Sequence, residues 1–221
     1  MLRVRTALTA AALGLAALIA IPAGQAGSAT SCVAWASMPA HVSLGPNEVK
    51  VHVTLTGTAA CRGVTADSGG SGTLNGPGPS TSDFPLMWDH LGASDTADFY
   101  ASLNTLGTYR VAGGSLQTYD AQYNHIPYTW RTTAMVVKYA GRFARVTHQN
   151  GRLTASLRYY ARDNWRAESG VAVHLQRYSS GAWRTVATHR TAGSGWVSFR
   201  AGRGNYRLVS DSTNSIWSAT G

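Results

Sequence analysis

Residues 48–56 read Glu-Val-Lys-Val-His-Val-Thr-Leu-Thr. Val49, Val51, Val53 and Leu55 alternate with polar neighbours, and a period of two places them on one face of a half-buried strand. His52 falls on the polar face, where it is solvated. Shorter runs of this kind recur at residues 99–103, 132–139, 143–147, 153–159, 171–177, 183–186, 196–199 and 206–209. Val33-Ala34-Trp35 reads as an edge strand. Ser179-Ser180-Gly181 predicts a hairpin turn joining residues 171–177 to 183–186. Residues 67–83, rich in Gly, Ser, Thr and Pro, predict a long loop. No amphipathic helix follows residue 29, so the pattern is all-β.

One motif occurs twice. Gly107-Thr108-Tyr109-Arg110 returns as Gly204-Asn205-Tyr206-Arg207, 97 residues later. Each copy lies between two alternating runs. A strand, a glycine turn and a strand opening on Tyr form the tyrosine corner of immunoglobulin-like sandwiches, domains of about 100 residues. The expected architecture is therefore two tandem immunoglobulin-like β-sandwiches, over residues 30–140 and 141–221. Tyr109 and Tyr206 are the matching corners, both largely buried. Ala140-Gly141-Arg142 is the junction, short enough to hold the two domains close.

The first 29 residues read as an export signal. A basic start with Arg3 and Arg5 precedes an apolar stretch from Ala7 to Ile21, broken at Pro22 and followed by small residues. The stretch is too short to span a bilayer, and no later run is apolar enough. Secretion changes the reading of the two cysteines. In an exported chain Cys32 and Cys61 have a single possible pairing, a disulfide; the rival use of Cys32 is lipidation. Neither CxxC redox spacing nor a zinc ligand set is present.

Charge divides the chain unevenly. Residues 30–140 carry five basic residues against seven acidic ones, a balance of −2; residues 141–221 carry twelve Arg against three acids, a balance of +9. Those arginines interleave with Tyr159, Tyr160, Trp165, Tyr178 and Trp183. Arg binds phosphate bidentately and stacks on flat rings. An anionic polymer outside the cell, such as a wall teichoic acid, an acidic polysaccharide or DNA, is the partner this suggests. The residues singled out are Arg158, Arg177, Arg184 and Arg190, on or beside the central hairpin. The rival explanation is solubility alone. Trp165 and Trp183, each beside a turn, are either sugar-stacking platforms or caps on the core.

Catalytic patterns are weak. No Gly-x-Ser-x-Gly is present, and none of the seven His sits in a hydrolase motif. Asp163, Glu168 and Asp211 are the only carboxylates in residues 141–221, few for a glycosidase pair. Asp83, Asp89, Asp95 and Asp98, read as one acidic loop, are the calcium candidates, but they lack Asp-x-Asp-x-Asp-Gly spacing. No catalytic residue, cofactor or metal site is assigned.

Lys138-Tyr139-Ala140, Arg142, Asp163-Asn164-Trp165, Val173-His174-Leu175-Gln176-Arg177, Gly181 before Trp183, Gly195 and Tyr206-Arg207 resemble secreted actinobacterial proteins with tandem immunoglobulin-like domains. The resemblance covers the second half best. It implies the fold and export, carries a calcium-binding label in some members, and assigns no site residue. Its members continue past the Tyr-Arg strand into one more apolar strand, whereas this chain ends at Ile216-Trp217-Ser218-Ala219-Thr220-Gly221, predicting a short or missing final strand. The expected function is a secreted, non-enzymatic binding or surface-associated module. A structural or protein–protein module and a calcium-binding protein are the alternatives.

Overall fold

A computed structural model describes residues 31–63, 69–78 and 83–221; the stretch read from sequence as an export signal, residues 1–29, lies outside the described residues. The chain is all-β, with immunoglobulin-like sandwiches and, among the described residues, no α-helix. No helix is long and apolar enough to cross a membrane.

The first half holds ten strands: β1 (Cys32–Ser37), β2 (His41–Leu44), β3 (Val49–Gly57), β4 (Gly70–Leu74), β5 (Phe84–Trp88), β6 (Ser94–Phe99), β7 (Gly107–Val111), β8 (Gly114–Leu116), β9 (Tyr128–Trp130) and β10 (Thr133–Tyr139). One sheet runs β6-β3-β1-β9. Facing it are β2-β10-β7 and β5-β4-β8, joined by the Asn75–Arg110 bridge. The alternation of β3 works as its sequence requires. Val51, Val53 and Leu55 are buried, and they share one core with Trp88, Phe99 and Tyr109. Cys32 and Cys61 form a disulfide across 29 residues, beneath β1.

Two expectations fail in this half. The stretch read as one long loop contains β4, whose Gly-Ser-Gly-Thr-Leu sequence has no apolar alternation to announce it. Small residues are required there by close approach, since a Cβ on Gly70 would stand 2.5 Å from the Ser115 carbonyl oxygen. The acidic loop is also two strands. Asp95 and Asp98 both lie on β6, and their odd spacing sends them to opposite faces.

The second half holds β11 (Gly141–Gln149), β12 (Arg152–Ala161), β13 (Asn164–Ala167), β14 (Ala172–Ser179), β15 (Ala182–Arg190), β16 (Trp196–Arg200) and β17 (Tyr206–Ser210). In one sheet β12 pairs β11 on one edge and β13 and β16 on the other; the second sheet runs β15-β14-β17. Leu153, Ala155, Val197 and Phe199 of the first meet Val173, Leu175 and Leu208 of the second. Asn150 and Gly151 turn β11 into β12 with φ of 51° and 70°. Positive φ at both positions is the twist-matched two-residue hairpin turn, for which Asn-Gly is well suited. The Asp163 loop and Ser180-Gly181 are built the same way.

One residue, Ala140, separates β10 from β11, and the C-terminal segment clamps the two halves. The amide of Trp217 donates to the Tyr139 carbonyl at 3.0 Å and that of Tyr139 to Ser215 at 2.9 Å. The Trp217 indole donates to the Val42 carbonyl at 2.7 Å, while its ring lies against His41 and the Lys138 ammonium. In place of a full last strand, residues 216–221 make bridges to Tyr139 and Val209.

The repeated tyrosines occupy different environments. Tyr109 is fully buried, and its hydroxyl donates to the Thr105 carbonyl four residues upstream at 2.9 Å, as a tyrosine corner does. Tyr206 opens β17 half-buried, with its ring edge-on to His148. Tyr109→Phe is expected to lower unfolding free energy in urea by about 1 kcal/mol, the usual net value of a hydrogen bond. Tyr206→Phe is expected to stay within about 0.5 kcal/mol of the parent. Replacing both cysteines by Ser is expected to cost about 3 to 4 kcal/mol, read in the same titration.

Candidate functional site

The sandwich of the second half has two unlike ends. At the end nearest the first half, Leu157, Val171, Ile216 and Ala219 pack with Tyr139. All three carboxylates of this half lie there. Asp163 sits in the β12–β13 turn; Glu168 bonds back to Leu157 and Asp211 to Ala172 through their amides. The opposite, distal end begins where β12 begins, at Arg152. Ten residues of strand at about 3.3 Å each put roughly 30 Å between the ends.

Five arginines form the distal end. Arg152 and Arg200 are direct partners across β12 and β16. Arg177 and Arg184 are direct partners across the β14–β15 hairpin. Arg203 joins the pairs: its carbonyl accepts from the Arg177 guanidinium at 3.5 Å, and its turn adjoins Asn150 and Gly151 beside Arg152. Like charges placed directly opposite each other destabilise a sheet. The carboxylate nearest the Arg177–Arg184 couple, Asp211, is bound to His174, three residues and roughly 10 Å before Arg177 on β14, and salt screens beyond about 8 Å. Among the described residues the ion pairs are Lys50–Glu48 and His174–Asp211, and neither involves an arginine.

Two of the four arginines singled out from sequence, Arg177 and Arg184, therefore belong to this cluster, and two lie elsewhere. Arg158 is on β12 with Arg152 but toward the other end of that strand, opposite Arg142, and its Nε donates to Ser156. Arg190 closes the far end of β15, where it donates to the Gly170 carbonyl at 2.7 Å. Sequence reading passed over Arg152, Arg200 and Arg203. Their signal was position, since Arg152 follows Gly151, Arg203 follows Gly202 and Arg200 lies two residues before Gly202.

Trp165 is partly exposed and Trp183 exposed. Trp183 is 36% exposed, beside Tyr178 at the hairpin tip, and the Arg207 guanidinium stacks on its ring at 4.6 Å. Trp165 carries Arg142 at 3.3 Å and meets Tyr160 edge-on. Neither forms part of a buried cluster.

The structure also aligns three side chains of hydrolytic type. His174 Nε2 bonds Asp211 Oδ1 at 2.9 Å, and its Nδ1 bonds Thr188 Oγ1 at 2.9 Å. They stand on the open outer face of the sheet, with His174 29% and Asp211 58% exposed, where water is not excluded. Among the described residues no three His, Cys, Asp or Glu side chains converge to hold a metal ion. Asp95 spends both carboxylate oxygens on the amides of Met87 and Thr96.

No family model matches the sequence, and no curated protein matches it. Similar solved structures include Escherichia coli alpha-2-macroglobulin over domains NIE-MG1, at 9% identity and TM-score 0.29, covering 84% of this chain and 94% of that one. A tetra-tandem repeat in the extending region of a large adhesion protein matches at 9% identity and TM-score 0.26, covering 86% and 47%. The D0-D1 domain of intimin matches at 12% identity and TM-score 0.22, covering 84% and 94%. TM-scores this low carry no functional information.

Relief of repulsion is measurable. Arg200→Gln is expected to leave the melting temperature unchanged or raise it, by up to about 1 kcal/mol equivalent at low salt, and the gain is expected to fade as salt is added. Burial raises the Glu168 carboxyl above its ordinary range, against a weaker opposing bond from Thr213. The folded state thus binds that proton more tightly than the unfolded state. Stability falls as pH rises from the unfolded value, about 4.3, through the raised folded value. Glu168→Gln is expected to flatten that part of the stability–pH profile.

Proposed function

We propose that the protein is a secreted, non-enzymatic binding module of two immunoglobulin-like domains, residues 30–140 and 141–221, released from a leader at residues 1–29. Its second domain binds an anionic extracellular polymer at the distal end. The observation that carries this reading is the pair of directly opposed arginine couples, Arg152–Arg200 and Arg177–Arg184, without a carboxylate partner among the described residues. Arg142 and Arg158 form a third opposed couple at the other end, but all three carboxylates of this half lie toward that end, so the distal end carries the less balanced positive charge. The disulfide and the absence, among the described residues, of a membrane-crossing helix fit an extracellular protein.

Polyanion binding of this kind is driven by counterion release and weakens steeply with salt. The test is retention of the mature protein on heparin and on wall teichoic acid across a salt gradient, with duplex DNA as a probe in solution. Arg177→Gln with Arg184→Gln is expected to elute earlier. On DNA it is expected to flatten the slope of log affinity against log salt by about 2, roughly one per lost contact. Arg158→Gln with Arg190→Gln is expected to elute with the parent. Equal elution of the hairpin variant and the parent overturns the site, and no retention at low salt overturns polyanion binding.

A further inference from the structure

The sandwich is open on one side, where β15 of one sheet passes β16 of the other with no ladder between them. A groove of about 810 Å3 lies there, lined by Asn150, Arg152, His189, Ser198 and Arg200 among others, with no carboxylate in its wall. Arg152 is held in place, its Nε donating to Ser198 Oγ at 2.6 Å, which leaves the terminal nitrogens of its fork for a ligand. Arg200 stands directly across from it. His189 enters from the other sheet. Its ring lies flat on Phe199, 4.7 Å between centroids and 13° between planes. Its Nδ1 meets the Ser198 carbonyl at 2.6 Å. A carbonyl only accepts, so Nδ1 carries the hydrogen, the tautomer is fixed, and Nε2 is left as the second functional atom of the ring.

We propose that this groove is a binding site for a phosphomonoester, the terminal phosphate of a polymer or of a phosphorylated sugar. This rests on the reading of the distal end as an anion-binding surface and narrows it to one chemical group. Two guanidinium forks and one imidazole converge from three strands. A carboxylate has two oxygens and is saturated by a single fork. A phosphodiester has two free oxygens and one charge. A phosphomonoester has three free oxygens, one for each group, and near pH 7 a charge of about −1.5 to −2, so a form that keeps one proton coexists with the dianion that the two forks bind alone. Its remaining proton, when present, is donated to His189 Nε2.

The test uses the full mature protein at constant ionic strength. Inorganic phosphate and glycerol phosphate are titrated against acetate and dimethyl phosphate, with the imidazole resonances of His189 followed by NMR. Saturable shifts with inorganic phosphate and with glycerol phosphate are expected at concentrations about tenfold below those needed for acetate or the diester, the value of one further charge-assisted hydrogen bond. Arg200→Gln is expected to weaken glycerol phosphate about tenfold while the protein melts no lower than the parent. The variant with Arg158→Gln and Arg190→Gln, outside the distal end, is expected to bind glycerol phosphate as the parent does. Equal affinity for acetate and phosphate, or for the parent and Arg200→Gln, overturns the assignment. Polymer retention that depends on the hairpin arginines, without a saturable phosphate shift at His189, removes the groove and leaves the wider reading standing. A phosphate shift at His189 without polymer retention at any salt supports the groove and removes the wider reading.

Discussion

The segment from Ser212 to Gly221 holds the two halves and the second core together. Ile216 and Ala219 fill the end of the second sandwich. Gly221 exchanges both backbone hydrogen bonds with Leu208, and Ala219 accepts from Ser210, so the free edge of β17 is satisfied over this stretch. Trp217 then reaches across to Val42. A buried backbone group without a partner is costly, and here a few residues satisfy groups on two sheets and on the neighbouring half at once. With Ala140 alone between β10 and β11, the halves have little freedom to swing.

That rigid frame tolerates an unfavourable charge arrangement. Each opposed arginine couple opposes folding by a modest amount, up to about 1 kcal/mol, which a core containing Phe199, Leu175 and Leu208 readily offsets. Arg152 is steadied by Ser198, and Arg177 by the Arg203 carbonyl. These neutral partners orient the guanidinium groups without cancelling their charge. Arg142 and Arg207, stacked on Trp165 and Trp183, are held by ring faces in the same manner.

The parts of the molecule legible in the sequence were those where one residue type decides the outcome locally. The alternation of β3 and β14 announced strands, the central hairpin followed from Ser180-Gly181, and the two cysteines had one another. β4 was not legible, because its small residues are selected by the Ser115 backbone that comes close to Gly70, a contact 45 positions away. The same holds for the distal arginines. Arg152 and Arg200 become neighbours only through the pairing of β12 with β16, a register that no local pattern encodes. Arg158 drew attention because it lies among aromatic residues in sequence, yet it sits six residues beyond Arg152 on β12, toward the other end of the sandwich. Repeated motifs were a partial guide: Gly-x-Tyr-Arg marks a strand start in both halves, but only Tyr109 is fully buried.

Segregation of the three carboxylates from the distal arginines makes the second half an electric dipole along its long axis. Near a polyanionic surface a dipole experiences torque as well as attraction. Screening confines that torque to about the last nanometre of approach, a distance shorter than the domain itself. On the proposed reading, the molecule would turn within it so that the hairpin tip and the β12 start lead and the first half trails. The clamp at Trp217 gives that orientation a mechanical meaning. With the distal end on a surface, as proposed, the first half would stand off at a set angle, as a post rather than a tether, and whatever it presents would be displayed at a fixed height.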